Sequence, residues 1–269
     1  MKAIRLPDRP QIPDGLPADR VVAYLDILGM RTLVHDLFAA SDTEGYRRLF
    51  EVLWALTATA EVANQGTLAT PSIRATAFSD TIVFSDEFTA RGVESVVKRA
   101  GLLISTLLPI GIFCRGAIDA GPTYHDNGII LGKGLISAHD LETRVAIYPR
   151  VVISDDVANV ADDATKHGFS HLYKDCDGMC CIDAFYHFRK AKSIQELLAR
   201  PIGNAEWDPD LFEKTRHHIQ RELAEATSGR RTDLLVKHRW LAKAFNQAVD
   251  RYVPGSVQHL DLQQPRLGA

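Results

Sequence analysis

The sequence contains no apolar run long enough to cross a bilayer. Its longest candidate, residues 102–113, falls well short of the about 20 residues that a spanning helix requires. The opening Met1-Lys2-Ala3-Ile4-Arg5-Leu6-Pro7 lacks the apolar core of a secretory signal, so a cytoplasmic location and no membrane partner are expected. An excess of charge of one sign is also missing. With 31 Lys and Arg against 34 Asp and Glu, the formal net charge of -3 gives no drive toward nucleic acid. Long polyanions are thereby excluded as partners, whereas a single nucleotide is not. Cysteine is sparse, and the spacing of Cys114, Cys176, Cys180 and Cys181 fits neither C-x-x-C nor a common zinc arrangement, even with His167 and His171 nearby. Asp177-Gly178 predicts a hairpin turn instead, followed by a strand over residues 179–182 in which cysteine acts as a small hydrophobe. A phosphate-cradling glycine loop is absent, because Gly132-Lys133-Gly134 is too short to be one.

Against these absences stands a pair of aspartates in the wrong kind of surroundings. Asp26 lies in Val21-Val22-Ala23-Tyr24-Leu25-Asp26-Ile27-Leu28-Gly29, and Asp80 in Ala75-Thr76-Ala77-Phe78-Ser79-Asp80-Thr81-Ile82-Val83-Phe84. Both runs read as buried β-strands, and no Lys or Arg lies within two positions of either carboxylate. Desolvating a carboxylate costs several kcal/mol unless a charge, hydrogen bonds or a metal compensates. Two such groups on adjacent strands suit Mg²⁺ or Mn²⁺, hard cations that take oxygen ligands and grip phosphates. Taken singly, Asp26 also reads as a cap on the turn at Gly29 and Asp80 as an ordinary hairpin residue.

The chain has 269 residues, 46% of them hydrophobic and 24% charged, which suits one elaborated domain. Pro7, Pro10, Pro13 and Pro17 mark residues 1–19 as an extended leader. From residue 20 the expected order is a strand carrying Asp26, helical segments over 30–64 broken near Ser41 and Asp42, and a hairpin bending at Ser79-Asp80. A helix over 90–108 closed by Pro109 follows, then a strand over 111–121 carrying Arg115. His125, Asp126 and Asn127 are expected to turn that strand into a partner over 128–132. A helix over 133–146, a strand at 150–154, a helix over 155–166 and the Asp177-Gly178 hairpin complete residues 20–190. Residues 191–269 are expected to form a helical extension packed on the same domain, with Leu234, Leu235, His238, Leu241, Ala242 and Phe245 at helical spacing. Long helices interleaved with hairpins indicate an α+β sandwich with a central, mostly antiparallel sheet.

In this order the motifs resemble the catalytic domain of class III nucleotidyl cyclases. Asp26-Ile27-Leu28-Gly29 is similar to the family's D-I-x-G strand, Ser79-Asp80 to its G-D hairpin, and Arg115-Gly116-Ala117-Ile118-Asp119-Ala120-Gly121 to its R-V-G-I-H-T-G strand. The likeness covers about residues 20–154. It implies that Asp26, Asp80 and the main-chain carbonyl of Ile27 hold two Mn²⁺ or Mg²⁺ ions per site, and that Arg115 contacts the triphosphate. It further implies a head-to-tail homodimer with sites at the interface. Within the superfamily the chain looks like the pyrimidine cyclases of the Pycsar anti-phage systems, on Ala23 to Gly29, Phe78 to Val83, Arg115 to Ile118, Leu141-Glu142, Tyr148-Pro149-Arg150 and Trp240-Leu241. Those enzymes convert UTP or CTP to a cyclic nucleotide that activates a separate effector protein.

Departures from the purine cyclases sharpen that reading. Thr76 stands where adenylyl cyclases place a base-reading lysine, and Ile129 near the aspartate that cooperates with it. Thr76 and Tyr24 are therefore candidate substrate contacts, and UTP is favoured over CTP because no residue clearly reads the cytosine amino group. Ile136 and Asp140 occupy the places of the family's Asn and transition-state Arg, so either Arg144 substitutes or Arg115 and the metals carry more of the stabilisation. Arg115 has a plainer alternative, an ion pair with Asp119 or Asp126. The altered positions also admit an inactive nucleotide-binding regulatory module with a cyclase fold, or an adenylyl cyclase. The G-G-D/E-E-F signature of diguanylate cyclases is absent.

Overall fold

The structure, a computed structural model, describes residues 15–47, 49–50, 72–126, 128–165, 172–190 and 206–262. Residues 51–64 of the expected helical segments, most of the leader and residues 191–205 of the extension lie outside them.

β1 (Asp19–Ile27) forms because its apolar, β-branched run suits a strand covered on both faces. Val21, Ala23, Leu25 and Ile27 point into the main core, while Arg20, Val22, Tyr24 and Asp26 alternate onto the opposite face. Gly29, at φ 79°, ends the strand, as its position after Asp-Ile-Leu predicts. α1 (Met30–Ala39) follows, and Asp42 Oδ1 then accepts the Gly45 amide at 2.9 Å to start the next helical turn.

β2 (Arg74–Phe78) and β3 (Thr81–Glu87) form the expected hairpin around Ser79 and Asp80. α2 (Ala90–Leu107) is capped by Thr89, whose hydroxyl accepts the Gly92 amide at 3.1 Å, and leads through a 3₁₀ turn at Leu108–Ile110 to β4 (Cys114–Asp126). β4 is longer than its apolar core predicts. His125 and Asp126 belong to the strand rather than to the turn, where they pair with Ile130 and Ile129 of β5 (Ile129–Gly132). The cause is tertiary: His125 is held by side chains of β2 and β3.

α3 (Lys133–Val145), β6 (Val151–Ile153), α4 (Asp155–Thr165), β7 (Leu172–Lys174) and β8 (Cys180–Ile182) come next, followed by α5 (Pro209–Ser228) and α6 (Thr232–Tyr252). The Asp177-Gly178 turn forms as expected, with Gly178 at φ 85°, and all four cysteines are free. The sheet runs β2-β3-β1-β4-β6-β8-β7, with β5 added to β4, and is antiparallel except between β4 and β6. This is the expected α+β architecture, a mostly antiparallel sheet flanked by helices with a helical C-terminal part.

One face carries the main core, in which Leu103 and Ile104 of α2 meet Phe212 and Ile219 of α5 and Leu241 and Phe245 of α6. Each fully buried Phe or Leu there contributes about 1.5–3 kcal/mol. The other face carries α3, whose Ala138 packs on Val22 and Val83. At the far edge the buried Arg150 guanidinium joins Asp175 and Asp177, Trp240 of α6 donates its indole N–H to Asp175 at 3.1 Å, and Tyr148 stacks on Trp240. Among the described residues no helix is long and apolar enough to cross a membrane.

Ser79 occupies the first loop position of the β2–β3 hairpin at φ 53°, where glycine is favoured. Ser79→Gly is expected to stabilise the fold by ~0.5–1 kcal/mol through relief of the left-handed conformation. Equilibrium urea unfolding measures it.

Candidate active site

The site grows from strand register. In β1, Asp26 is paired with Thr81 of β3 on one side and with Arg115 of β4 on the other. The Ile27 amide donates to the Asp80 carbonyl at 3.0 Å, which fastens the β2–β3 loop to the end of β1 and brings Asp80 beside Asp26. Both sequence-predicted carboxylates and Arg115 therefore meet at one end of the central strands. Tyr24 lies on the same face one pleat away, with its hydroxyl 3.5 Å from Thr81 Oγ1 and its ring edge-on to His139 of α3.

Arg115 pairs with neither Asp119 nor Asp126. Asp119 accepts the Ala120 amide, and Asp126 is 3.2 Å from Arg74. Instead the Arg115 Nε lies 3.4 Å from Asp26 Oδ2 and 2.5 Å from Glu142 Oε1. The second contact is a close charge pair without hydrogen-bond alignment, so Glu142 Oε1 is buried with no aligned donor. Both of these contacts are made by Nε. Glu142 is the residue that sequence reasoning missed as a member of the site. Its signal was a carboxylate on the buried stripe of α3, beside Leu135, Ala138, Leu141 and Val145.

Asp26 and Glu142 thus share one guanidinium, and Asp80 lies near enough to add its charge to Asp26. Burial and the neighbouring Asp80 charge raise the Asp26 carboxyl to about 6, with Glu142 adding to the shift and Arg115 only partly opposing it. Such a surplus of negative charge, made of hard oxygen donors at a partly buried strand end, fits a divalent cation such as Mg²⁺ or Mn²⁺. Asp26, Asp80 and the Ile27 carbonyl are the donors the chain offers. No group of three or more His, Cys, Asp or Glu side chains arranged to hold a metal occurs among the described residues, so main-chain or ligand oxygens would have to complete any such site.

Thr76 sits on the same sheet face, two strands and two residues from Asp26, a separation of about 12 Å by strand geometry. Ile136 is 60% exposed. Asp140 is held by its neighbours His139 at 3.8 Å and Arg144 at 3.5 Å, and Arg144 lies on the outer surface of α3.

No protein-family model and no curated protein matches the sequence. Among solved structures the fold is similar to the catalytic core of a rhodopsin-guanylyl cyclase with converted specificity in complex with ATPαS. The identity is 14%, the TM-score 0.43, and the match covers 62% of this chain and 96% of that one. It is also similar to the monomeric guanylyl cyclase domain of the RhoGC fusion protein from the aquatic fungus Blastocladiella emersonii, at 13% identity and TM-score 0.41 over 62% of this chain and 96% of that one. A class III adenylyl cyclase-like ATP-binding protein from Pseudomonas aeruginosa matches at 14% identity and TM-score 0.36, over 53% of this chain and 34% of that one.

Because the folded state raises the Asp26 pKa, Asp26 favours folding fully below its unfolded value near 4, and that contribution is lost as pH rises through about 6. Asp26→Asn is therefore expected to be more stable than wild type at pH 7.5 by on the order of 1–2 kcal/mol after solvent screening, with the difference shrinking toward zero at pH 4. Thermal unfolding of both proteins across that range tests this, and Mn²⁺ is expected to raise the Tm of wild type at pH 7.5 but not that of Asp26→Asn.

Proposed function

We propose that this chain is a nucleotide cyclase of the class III type that converts a pyrimidine nucleoside triphosphate, UTP before CTP, to its 3′,5′-cyclic nucleotide and pyrophosphate. The observation that carries the reading is the meeting of Asp26 and Asp80 beside Arg115 at one strand end, with carboxylate charge left uncompensated. The reaction is an intramolecular phosphoryl transfer. The ribose 3′-oxygen bonds to the α-phosphorus, the bond to pyrophosphate breaks, and the hydroxyl proton leaves to solvent. Mg²⁺ or Mn²⁺, two ions per site, would supply acidification of the 3′-hydroxyl and neutralisation of the triphosphate.

The protein's own task is positioning and charge placement, which suffices for this chemistry. Asp26, Asp80 and the Ile27 carbonyl hold the reacting end. Arg115, oriented by Glu142, turns its terminal nitrogens toward the triphosphate. Tyr24 and Thr76 lie along the same face, within the span of a nucleoside from the carboxylates, and contact ribose and base. The likeness to Pycsar cyclases in the Ala23 to Gly29 and Phe78 to Val83 segments supports a role in anti-phage defence, in which the cyclic product activates a separate effector protein.

A homodimer is part of the proposal. Phe78, Ile129, Leu131 and Ile136, on the elements that border the site, are 50%, 47%, 70% and 60% exposed, an apolar set that a second copy would cover. Leu131→Asp is expected to be monomeric by analytical ultracentrifugation and to lose product formation. A dimer that survives the change would remove this face from the interface.

A second reading, a binding module without turnover, is favoured by Ile136 and by the Asp140–Arg144 pair, which leave α3 without an inward-facing transition-state arginine. Purified protein incubated with each of the four nucleoside triphosphates and Mn²⁺ separates the two. Cyclic UMP and pyrophosphate support the cyclase, whereas nucleotide binding with no product supports the module. Asp26→Ala and Asp80→Ala are each expected to lower product formation by a factor of about 10² or more with the fold intact. Full activity in either would dismiss the metal-site assignment.

A further inference from the structure

A second polar cluster on the site face is not used by the chemistry above. His125 of β4 is 5% exposed and hydrogen-bonded at both ring nitrogens, Nδ1 to Ser85 Oγ at 2.8 Å and Nε2 to Thr76 Oγ1 at 2.9 Å. Ser85 is fully buried, and its hydroxyl accepts the Arg20 Nε–H at 2.9 Å. Arg20 is otherwise committed to the Ser72 and Ser85 carbonyls.

The direction of these bonds follows from proton bookkeeping. A guanidinium only donates, and a serine hydroxyl has one proton. The Ser85 proton, buried and already facing a donor in Arg20, needs an acceptor, and among the described residues the one on Ser85 Oγ is His125 Nδ1. A proton on Nδ1 would leave the Ser85 proton buried and unpaired, at a cost of about 1–3 kcal/mol. The ring therefore carries its proton on Nε2 and donates it to Thr76 Oγ1. Burial and the nearby Arg20 and Arg74 charges push the imidazole down to about 4, so it stays neutral at physiological pH and does not donate from both sides. Thr76 Oγ1 makes no other hydrogen bond among the described residues. Its own proton is left to point out of the network, from a residue that is only half-buried.

We infer that Arg20, Ser85, His125 and Thr76 form a one-way hydrogen-bond relay that presents Thr76 as a donor, and that it selects a base offering a carbonyl, uracil or guanine, over one offering an exocyclic amino group there, cytosine or adenine. The selection rests on the proposed cyclase reading, in which Thr76 faces the base. The relay itself does not. Each donor in the series polarises the next hydroxyl and strengthens the outgoing bond. With one of its two lone pairs taken by His125, Thr76 keeps one proton and one lone pair. A carbonyl takes the polarised proton directly, whereas an amino group must turn that proton away and use the remaining lone pair, a mismatch that corresponds to about tenfold in affinity. His125 and Ser85 act through Thr76 and are positioning residues.

Two measurements test the inference. In ¹⁵N-histidine-labelled protein, a long-range ¹H–¹⁵N spectrum, assigned by loss of the signal in His125→Gln, is expected to show the His125 proton on Nε2. A proton on Nδ1 overturns the relay. Separately, kcat/KM is measured for UTP, CTP, GTP and ATP. Wild type is expected to prefer UTP to CTP, and GTP to ATP. Thr76→Val, which keeps the shape and removes the proton, is expected to lose about tenfold of the UTP-to-CTP preference, while Thr76→Ser retains it. Ser85→Ala frees the imidazole to adopt either tautomer and is expected to reduce the preference several-fold. An unchanged preference in Thr76→Val and Ser85→Ala, or a wild type that favours CTP, overturns the selection. If wild type cyclises none of the four, the cyclase reading fails, and the tautomer still decides the relay.

Discussion

The contact on which the site depends is the Arg115 guanidinium set between Asp26 and Glu142. Three carboxylates converge where β1, the β2–β3 loop and α3 meet, and without a cation among them their repulsion drives Asp26 toward its protonated form. Arg115 offsets part of that charge and leaves a remainder. The arrangement is stable enough to fold and still electrostatically incomplete, which is how a protein preorganises a place for an incoming cation. Glu142, buried on α3, fixes the guanidinium from behind, so that the helix on one face of the sheet sets the orientation of a group at its centre.

Everything that needs fixed geometry is carried by β1 or by its immediate neighbours. Asp26 comes from β1 itself, Asp80 from the loop that the Ile27 amide anchors, and Arg115 from the partner strand in register with Asp26. The apolar half of β1 is locked in the main core, so each side chain on the other half inherits its position from packing rather than from a flexible loop. Thr76 of β2, two strands away on one side, and His125 of β4, next to β1 on the other, extend the same face. Their relay borrows its polarity from Arg20 at the opposite end of β1.

What the sequence made legible was local. The strands at Asp26 and Asp80 announced themselves as apolar runs, and Gly29 and Asp177-Gly178 as turns, because each feature is decided by neighbours in the chain. The two-aspartate site was legible because buried carboxylates without nearby cations conflict with their surroundings. The partner of Arg115 was not, since Glu142 is separated from it by a hairpin and most of a helix and meets it only after α3 docks. His125 was misplaced for the same reason. Asp126 and Asn127 are turn formers, and only contacts with Ser85 and Thr76 pull the histidine into a strand.

The far edge of the sheet bears on the site as well. The Arg150 guanidinium is held by Asp175 and Asp177, Asp175 is held by Trp240 of α6, and the Arg150 carbonyl accepts the amide of Gly116, the residue next to Arg115. The C-terminal helix and the Arg115 guanidinium are thus joined by a short series of bonds, through a buried cation that cannot lose its carboxylates cheaply. Tail and site belong to one cooperative unit, in which local opening at one end is felt at the other. A shortened variant lacking α6 would therefore be a different scaffold, with the strand that carries Arg115 unmoored, rather than a minimal form of the same one.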